Sequence, residues 1–165
     1  MVQDITVRPV QPQDTEAVQE LLRQEMVHNG CNFDESSPYH PKNAAQDVIR
    51  KTMDAGNPNR GWLAFAGDKP AGIITTPMDL AGGVFVNEEF RGKGVAQALI
   101  RTREKYLKED LGLTQIERPV RADNEASIKL HTEKLGYRFS QASLNLLKEN
   151  PKPPGNTVLY LVKTL

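Results

Sequence analysis

Residues 84–100, VFVNEEFRGKGVAQALI, gather the residue types best suited to chemistry in this chain: an apolar run, two glycines with a cation before each, then helical spacing. Gly92 and Gly94 leave the backbone open to close approach by a ligand. The first turn of the helix that follows offers unpaired N–H groups and the positive end of the helix dipole, so an anion docked there meets ready donors. Arg91 adds a guanidinium fork that can grip two phosphate oxygens at once, and Lys93 adds a second positive charge. A ligand with linked phosphates suits this turn best.

A second segment, RADNEASIKLHTEKLGYRF, sets Asn124 at a strand end before a short helix that carries Ile128, Leu130 and Leu135 and closes at Gly136 and Tyr137. The Asn124 amide can cap that helix and still bond a ligand. His131 on the helix has the one side chain whose ordinary pKa, about 6.5, suits both acid and base work near neutrality. A helix histidine also serves as a surface or capping residue, and Tyr137 is the fallback hydroxyl, more naturally a core residue after Gly136. For a base, the carboxylates near the apolar run are Asp79 before it and Glu88 and Glu89 after it. All three read equally well as solvated turn residues, and Asp79 is carried forward. Cys31, in the polar stretch NGCNFDESSP, reads as a loop residue rather than a nucleophile.

Positioning these groups requires alternating strands and helices. Residues 5–8 read as a strand. Asp14 caps a helix over 15–27 whose Ala17, Val18, Leu21 and Leu22 recur at helical spacing. A polar loop leads to Pro41 and forms a candidate substrate lip; its Asp34 and Glu35 read as ordinary loop charges. A second helix covers 43–55, closed by Gly56, Asn57 and Pro58. Residues 62–66 and 71–76 form a hairpin about the turn 67–70, and 84–86 is the next strand. After the glycines, Val95, Leu99, Thr102 and Tyr106 make the buried helix face, leaving Arg101, Lys105 and Lys108 outside. A strand at 115–121, a helix at 127–135 and strands at 137–141 and 157–163 complete the chain.

The 165 residues suffice for one domain with a real core. Lys plus Arg and Asp plus Glu both total 21, so net charge points neither to nucleic acid nor to an anionic membrane as partner. The lone cysteine and an amino terminus without a long apolar run predict a cytoplasmic protein. No metal-ligand spacing stands out.

Taken jointly, the RGKGVA turn and the Asn-x-x-Ser-x-x-Leu-His helix leading to Gly-Tyr resemble the cofactor core of the GNAT superfamily of N-acetyltransferases. The resemblance covers residues 84–140 and implies a single domain over 1–165. The implied fold is α/β (α+β): a mixed, mostly antiparallel central sheet of about six to seven strands flanked by about four helices. It implies acetyl-CoA as cosubstrate, lying where the sheet opens between the strands at 84–86 and 115–121. Phe85 and Val86 would bond the pantetheine arm, and Arg91, Gly92, Lys93, Gly94, Val95 and Ala96 would surround the pyrophosphate. Asn124, Ser127 and His131 would complete the cofactor contacts.

The resemblance further implies transfer of an acetyl group to a primary amine of a small molecule or peptide. The Val86 N–H would serve as oxyanion donor, His131 as general acid toward the departing sulfur, and Asp79 as base. Gly82 and Gly83 would let the strand bend. HTEKLGY is one residue longer than the family spacing, making Thr132 an insertion able to turn His131 away. The acceptor is open, and the strand at 157–163 could pair across a homodimer.

Two rival enzyme readings rank lower. A dinucleotide fingerprint lacks its third glycine, because Gln97 stands there, and the G-x-x-x-x-G-K-[ST] phosphate loop is absent. The non-enzymatic alternative is a catalytically weak CoA-binding sensor or assembly module of the same fold.

Overall fold

The computed structural model describes residues 4–76 and 83–165. Asp79 and Gly82, both singled out in the sequence, lie outside the described residues. The chain divides within one helix into two compact units, Met1–Arg103 and Glu104–Leu165.

The first unit is a four-stranded antiparallel sheet in chain order, with two helices packed on one face. Its strands are β1 (Ile5–Pro9), β2 (Arg60–Ala66), β3 (Lys69–Thr76) and β4 (Val84–Val86). The helices are α1 (Thr15–His28) and α2 (Pro41–Met53). Val18, Leu21 and Leu22 of α1 meet Ala44, Ala45, Val48 and Ile49 of α2 over Leu63, Ile73 and Phe85, forming the core. Asp14 does not cap α1 through its side chain, as its type and place suggest. Its carboxylate takes two bonds from Arg8, at 2.7 and 2.8 Å, and one from the Gln11 N–H. A paired guanidinium outcompetes a backbone amide for a carboxylate this close. At the other end of the layer, Arg60 closes α2 by donating to the carbonyls of Lys51, Thr52 and Asp54, the acceptors a helix end leaves open.

The β2–β3 hairpin turns on Gly67 and Asp68, with Gly67 at φ +63° as such a two-residue turn requires. The pairing slips between Ala64 and Phe65, so Ala71 is an extra residue in β3. Its carbonyl accepts from the Asn87 N–H at 2.9 Å. Beside it Gly72 is crowded: a Cβ there would lie 2.8 Å from the Phe85 carbonyl oxygen, 3.0 Å from Leu99 and 3.1 Å from Val95. Leu99 and Val95 belong to α3 (Val95–Glu109), the helix within which the two units divide. Its buried face is Val95, Leu99, Ile100, Arg103, Glu104 and Leu107, rotated from the predicted one; Thr102 and Tyr106 are only half-buried, while Arg101, Lys105 and Lys108 are exposed as expected.

The second unit contains the sheet β5 (Gln115–Arg121), β7 (Val158–Thr164) and β6 (Arg138–Phe139), in that spatial order and antiparallel throughout. The strand expected at 137–141 is thus two residues long. Ser140 instead caps a helix, α5 (Gln141–Glu149), that the sequence reading did not foresee, accepting from the Ser143 N–H at 3.2 Å. The expected helix at 127–135 begins earlier, as α4 (Glu125–Lys129), and continues into a π-helical turn, Leu130–Lys134. A π turn absorbs one extra residue without ending a helix. Thr132 sits inside it, where the sequence predicts an insertion.

Seven strands in two sheets and five α-helices make up the described fold, one helix more than expected. Replacing Gly72 by alanine will force apart β3, β4 and α3, and overpacking of this kind costs about 1–3 kcal/mol. Urea unfolding of the variant should give a midpoint well below that of the parent, with an unchanged slope.

Candidate active site

In the first unit, the site begins with the phase of one ladder. The Thr75 N–H donates to Gly83 at 3.1 Å and the Asn87 N–H to Ala71, while Ile73 pairs with Phe85 between them. Bonded and non-bonded pairs alternate in antiparallel sheets, so Gly83, Phe85 and Asn87 direct their main-chain groups toward β3. Val84 and Val86 direct theirs outward, and β4 is the last strand of its sheet. This corrects the expectation for Phe85: its main chain is committed to Ile73, and its side chain is in the core. Val86 presents its N–H and carbonyl at the edge, where the carbonyl accepts from Arg91 Nε at 3.1 Å.

The turn that follows is held by its own side chains. Asn87 accepts from the Glu89 N–H and opens a short helical turn, Glu88–Phe90. Gly92 and Gly94 lie in the left-handed region at φ +76° and +85°, and a side chain built on either would meet nothing within 4 Å. The glycines therefore answer a backbone requirement and leave the turn open outward. The Gly94 carbonyl receives the first helical bond of α3, from Ala98. The N–H groups of Val95, Ala96 and Gln97 precede that bond and face the open end. Val95's side chain is buried, so it offers only its backbone, and Ala96 is half-buried.

Arg91 and Lys93 are exposed. The Arg91 guanidinium lies 5.6 Å from the Phe85 ring centre, and Lys93 donates to the Glu89 carbonyl at 3.3 Å, over Phe90. A groove of about 400 Å³ opens beside them, lined by Val27, His28, Phe85, Asn87, Glu88 and Arg91. Glu88 and Glu89 are both exposed, as solvated turn carboxylates should be.

The second unit brings Asn124, Ser127 and His131 together over two consecutive helical turns. Asn124 caps α4 by accepting from the Ser127 N–H at 3.2 Å. His131 is 3% exposed; its Nδ1 lies 2.7 Å from the Ser127 carbonyl, and its ring stands edge-on to Tyr137 at 4.9 Å. Because a carbonyl can only accept, Nδ1 carries the proton, and Nε2 of the neutral ring is a bare acceptor, buried without a partner among the described residues. Burial, foremost, holds the imidazole below its ordinary pKa. At neutral pH His131 therefore has no Nε2 proton to give, and the expected role as general acid does not fit its geometry.

Around the histidine lie charged groups that helical spacing did not mark as interior. Glu104 accepts from the Tyr137 hydroxyl and from Lys163, each at 2.7 Å. Arg118 is buried, with Nη1 unpartnered among the described residues, and burial lowers its pKa. Burial and the bond to Glu104 raise the Tyr137 phenol far above its ordinary value, so Tyr137 holds its proton and does not replace His131 as an acid. The sequence signal for this cluster was alternation along β5 and β7. Arg118 pairs with Leu161, and Ile116 with Lys163, on one face. No group of three or more His, Cys, Asp or Glu among the described residues could hold a metal ion, and no described helix is long and apolar enough to cross a membrane.

A family model described as acetyltransferase (GNAT) family matches residues 16–137. No curated protein matches the sequence. Among solved structures, the chain is similar to a GCN5-related N-acetyltransferase from Kribbella flavida, at 20% identity over 98% of both chains with a TM-score of 0.65. It is similar to the PaiA N-acetyltransferase from Thermoplasma acidophilum in complex with coenzyme A, at 15% identity over 98% of this chain and 99% of that one, TM-score 0.67. YncA from Salmonella typhimurium, a putative acetyltransferase with its cofactor acetyl-CoA, gives 16% identity over 98% and 94%, TM-score 0.65. At such identities the likeness is one of fold.

The depressed pKa of His131 has a consequence for stability. The folded protein binds fewer protons here than the unfolded chain, so stability is intact above the unfolded value of about 6.5 and is lost as pH falls below it. Replacing His131 by phenylalanine should flatten this dependence. Melting temperatures measured from about pH 7.5 down to 5 should fall more steeply for the parent than for the variant; parallel curves would contradict a buried neutral imidazole.

Proposed function

Because this chain belongs to the acetyltransferase (GNAT) family, we propose that it moves the acetyl group of acetyl-CoA to a primary amine of a small molecule or peptide, by direct attack of the amine on the thioester. The observation that carries the reading is the turn at 91–94, with two glycines in left-handed backbone opening onto the first turn of α3. The N–H groups of Gly92 to Ala96 would hold the diphosphate, with Arg91 and Lys93 supplying counter-charge. Arg91 would exchange its bond to the Val86 carbonyl for phosphate oxygens, freeing that carbonyl at the strand edge.

The edge then supplies the reacting geometry. The pantetheine arm would run along β4 as an added strand, using the outward groups of Val84 and Val86. The Val86 N–H is unspent in the ladder and can meet the negative charge that develops on the thioester oxygen when nitrogen attacks. The C–S bond then breaks with its electron pair on sulfur, which takes a proton from solvent or from the attacking nitrogen. His131 keeps a structural task in this reading, packing the second unit. Asn124 and Ser127 would contact the cosubstrate through groups left over from capping, the Asn124 amide NH₂ first. The family match runs through both compact units, which supports treating 1–165 as one catalytic domain.

Calorimetry with acetyl-CoA, followed by mass spectrometry of acetyl products from amine and peptide panels, tests the proposal. Heat of binding together with an acetylated amine supports it. Binding with no transfer to any amine would favour a CoA-binding sensor or assembly module, and no binding would sink both. Replacing Arg91 by alanine should weaken cosubstrate binding about 10- to 100-fold, the worth of a charge-assisted hydrogen bond of about 1.5–3 kcal/mol. Proline at Val86 removes the outward donor without breaking a ladder bond, since proline is tolerated where its nitrogen faces away from the sheet. That variant should lose about 10²–10³-fold in kcat with a much smaller change in acetyl-CoA affinity.

A further inference from the structure

Two grooves lie along α1, and they are joined. The first, of about 400 Å³, is the one beside Arg91. The second, of about 340 Å³, has Ala17 and Leu21 of α1 on one wall and Pro70 and Phe90 on the other, with the exposed pair Lys69 and Glu89 at its rim. Gln24 and Asn87 line both grooves, so the two meet at these amides. Helical spacing makes the joint trough straight. Ala17, Leu21, Gln24 and His28 follow one another at intervals of four, three and four residues, a stripe beside the one that fills the core. Over that stripe the helix rises about 16 Å at about 1.5 Å per residue, the reach of about five residues of extended chain.

The first groove ends at the strand edge that acetyl transfer would use. Phe85 and Asn87, the residues on either side of Val86, line it, and so does Arg91, whose Nε donates to the Val86 carbonyl at 3.1 Å. The Phe85 ring lies between two groups of that lining, with the Arg91 guanidinium 5.6 Å from its centre and the His28 ring 6.3 Å from it. A cation thus already rests on this ring, and an acceptor's ammonium can take its place when Arg91 turns to phosphate. Exposed Glu88 gives the same groove a carboxylate, while its other arginine, Arg23, is bound to Glu20. This end of the trough suits a positive amine.

The junction suits a peptide. Gln24 spends an N–H on Glu20 at 3.2 Å, and Asn87 spends its side-chain carbonyl on the Glu89 N–H at 3.1 Å. What the pair keeps, among the described residues, is the Gln24 carbonyl and the Asn87 NH₂, one acceptor and one donor without charge. A peptide unit offers the complementary N–H and C=O whatever its side chains. Beyond the junction, Ala17, Leu21, Pro70 and Phe90 give the second groove apolar walls that can cover side chains of such a chain.

We propose that the acceptor is the amino terminus of an extended peptide, its α-amine in the groove at Phe85 and about four following residues laid along α1 past Gln24 and Asn87. This rests on the acetyl-transfer reading and narrows its acceptor. The α-ammonium releases one proton to solvent, and the freed lone pair forms the new C–N bond. The C–S bond breaks with its electrons on sulfur, and a second N–H proton passes from nitrogen to the thiolate, giving amide and thiol. An α-amine, with an ordinary pKa of about 7.7–8.0, is partly neutral near pH 7, whereas a lysine amine at about 10.4 is not. A terminus is therefore the readier nucleophile, and it is the part of a straight chain that reaches the end of a trough.

The test measures kcat/KM for the full chain with acetyl-CoA and acceptors that share one amino-terminal residue, from its simple amide to peptides of about eight residues. The value should climb about 10- to 100-fold by about five residues, chiefly through KM, and then level off. Gln24→Ala should lower it about 2- to 10-fold more for the five-residue peptide than for the amide. A peptide with a blocked terminus and an internal lysine should be a poor acceptor. If the variant does not fold, the length series and the blocked peptide decide the matter in the parent. The same kcat/KM at every length, a rise that Gln24→Ala leaves untouched, or equal acetylation of the blocked peptide would overturn the assignment and leave acetyl transfer itself standing. A parent protein that acetylates neither amides nor peptides would instead remove the reading on which it rests.

Discussion

The phase of the β3–β4 ladder governs what the first unit can present to a ligand. Two bonds set it, from Thr75 to Gly83 and from Asn87 to Ala71, the residue that is extra in the pairing of β3 with β2. With that phase, Phe85 turns its backbone to Ile73 and its ring to the core, while Val86 keeps a donor and an acceptor at the edge. A shift of one residue would exchange the two roles and turn every side chain of the strand to the opposite face. Gly72 holds the arrangement from the other side, because only a residue without Cβ lets Phe85 and the first turns of α3 come so close. The turn at 91–94 is thereby carried on a strand and a helix that are packed against each other.

The second unit is organised by polar groups in its interior. Glu104 neutralises Lys163 and accepts a hydrogen bond from the Tyr137 hydroxyl; His131 is fixed by a carbonyl four residues earlier; Arg118 keeps its Nη1 without a partner among the described residues. Such clusters are costly unless satisfied and make the unit sensitive to acid through its histidine. The extra residue at Thr132 is taken up by a π turn, so the helix continues and His131 lies inside against Tyr137. Each residue rotates a helix by about 100°, and the wider π turn takes up that rotation without ending the helix.

Much of the fold was legible in order and type. The hairpin, the strand at 115–121 and the helices at the amino end follow from turn residues and periodicity, and the structure reproduces β5 with the predicted bounds. The helix α5 escaped because it is short and its buried contact is a serine: Ser143 accepts from the Tyr160 N–H at 2.8 Å, leaving Leu144 exposed. Hydrophobic spacing cannot announce a helix held by a hydroxyl. Asp14 was misread for a related reason, since its pairing with Arg8 depends on a strand and a turn meeting in space.

From the sequence alone came the residues that need no partner to declare themselves. Gly92 and Gly94 must serve a backbone no other residue adopts readily, Arg91 and Lys93 carry charge wherever they sit, and Asn124 caps the helix it precedes. These are local properties, fixed by covalent structure and near neighbours. Which way Val86 faces, whether His131 can hold a second proton, and why the charged Glu25 of α1 is buried were settled only by packing. Each depends on atoms far away in sequence, whose crowding sets hydrogen-bond phase and excludes water, and no spacing rule along the chain encodes that.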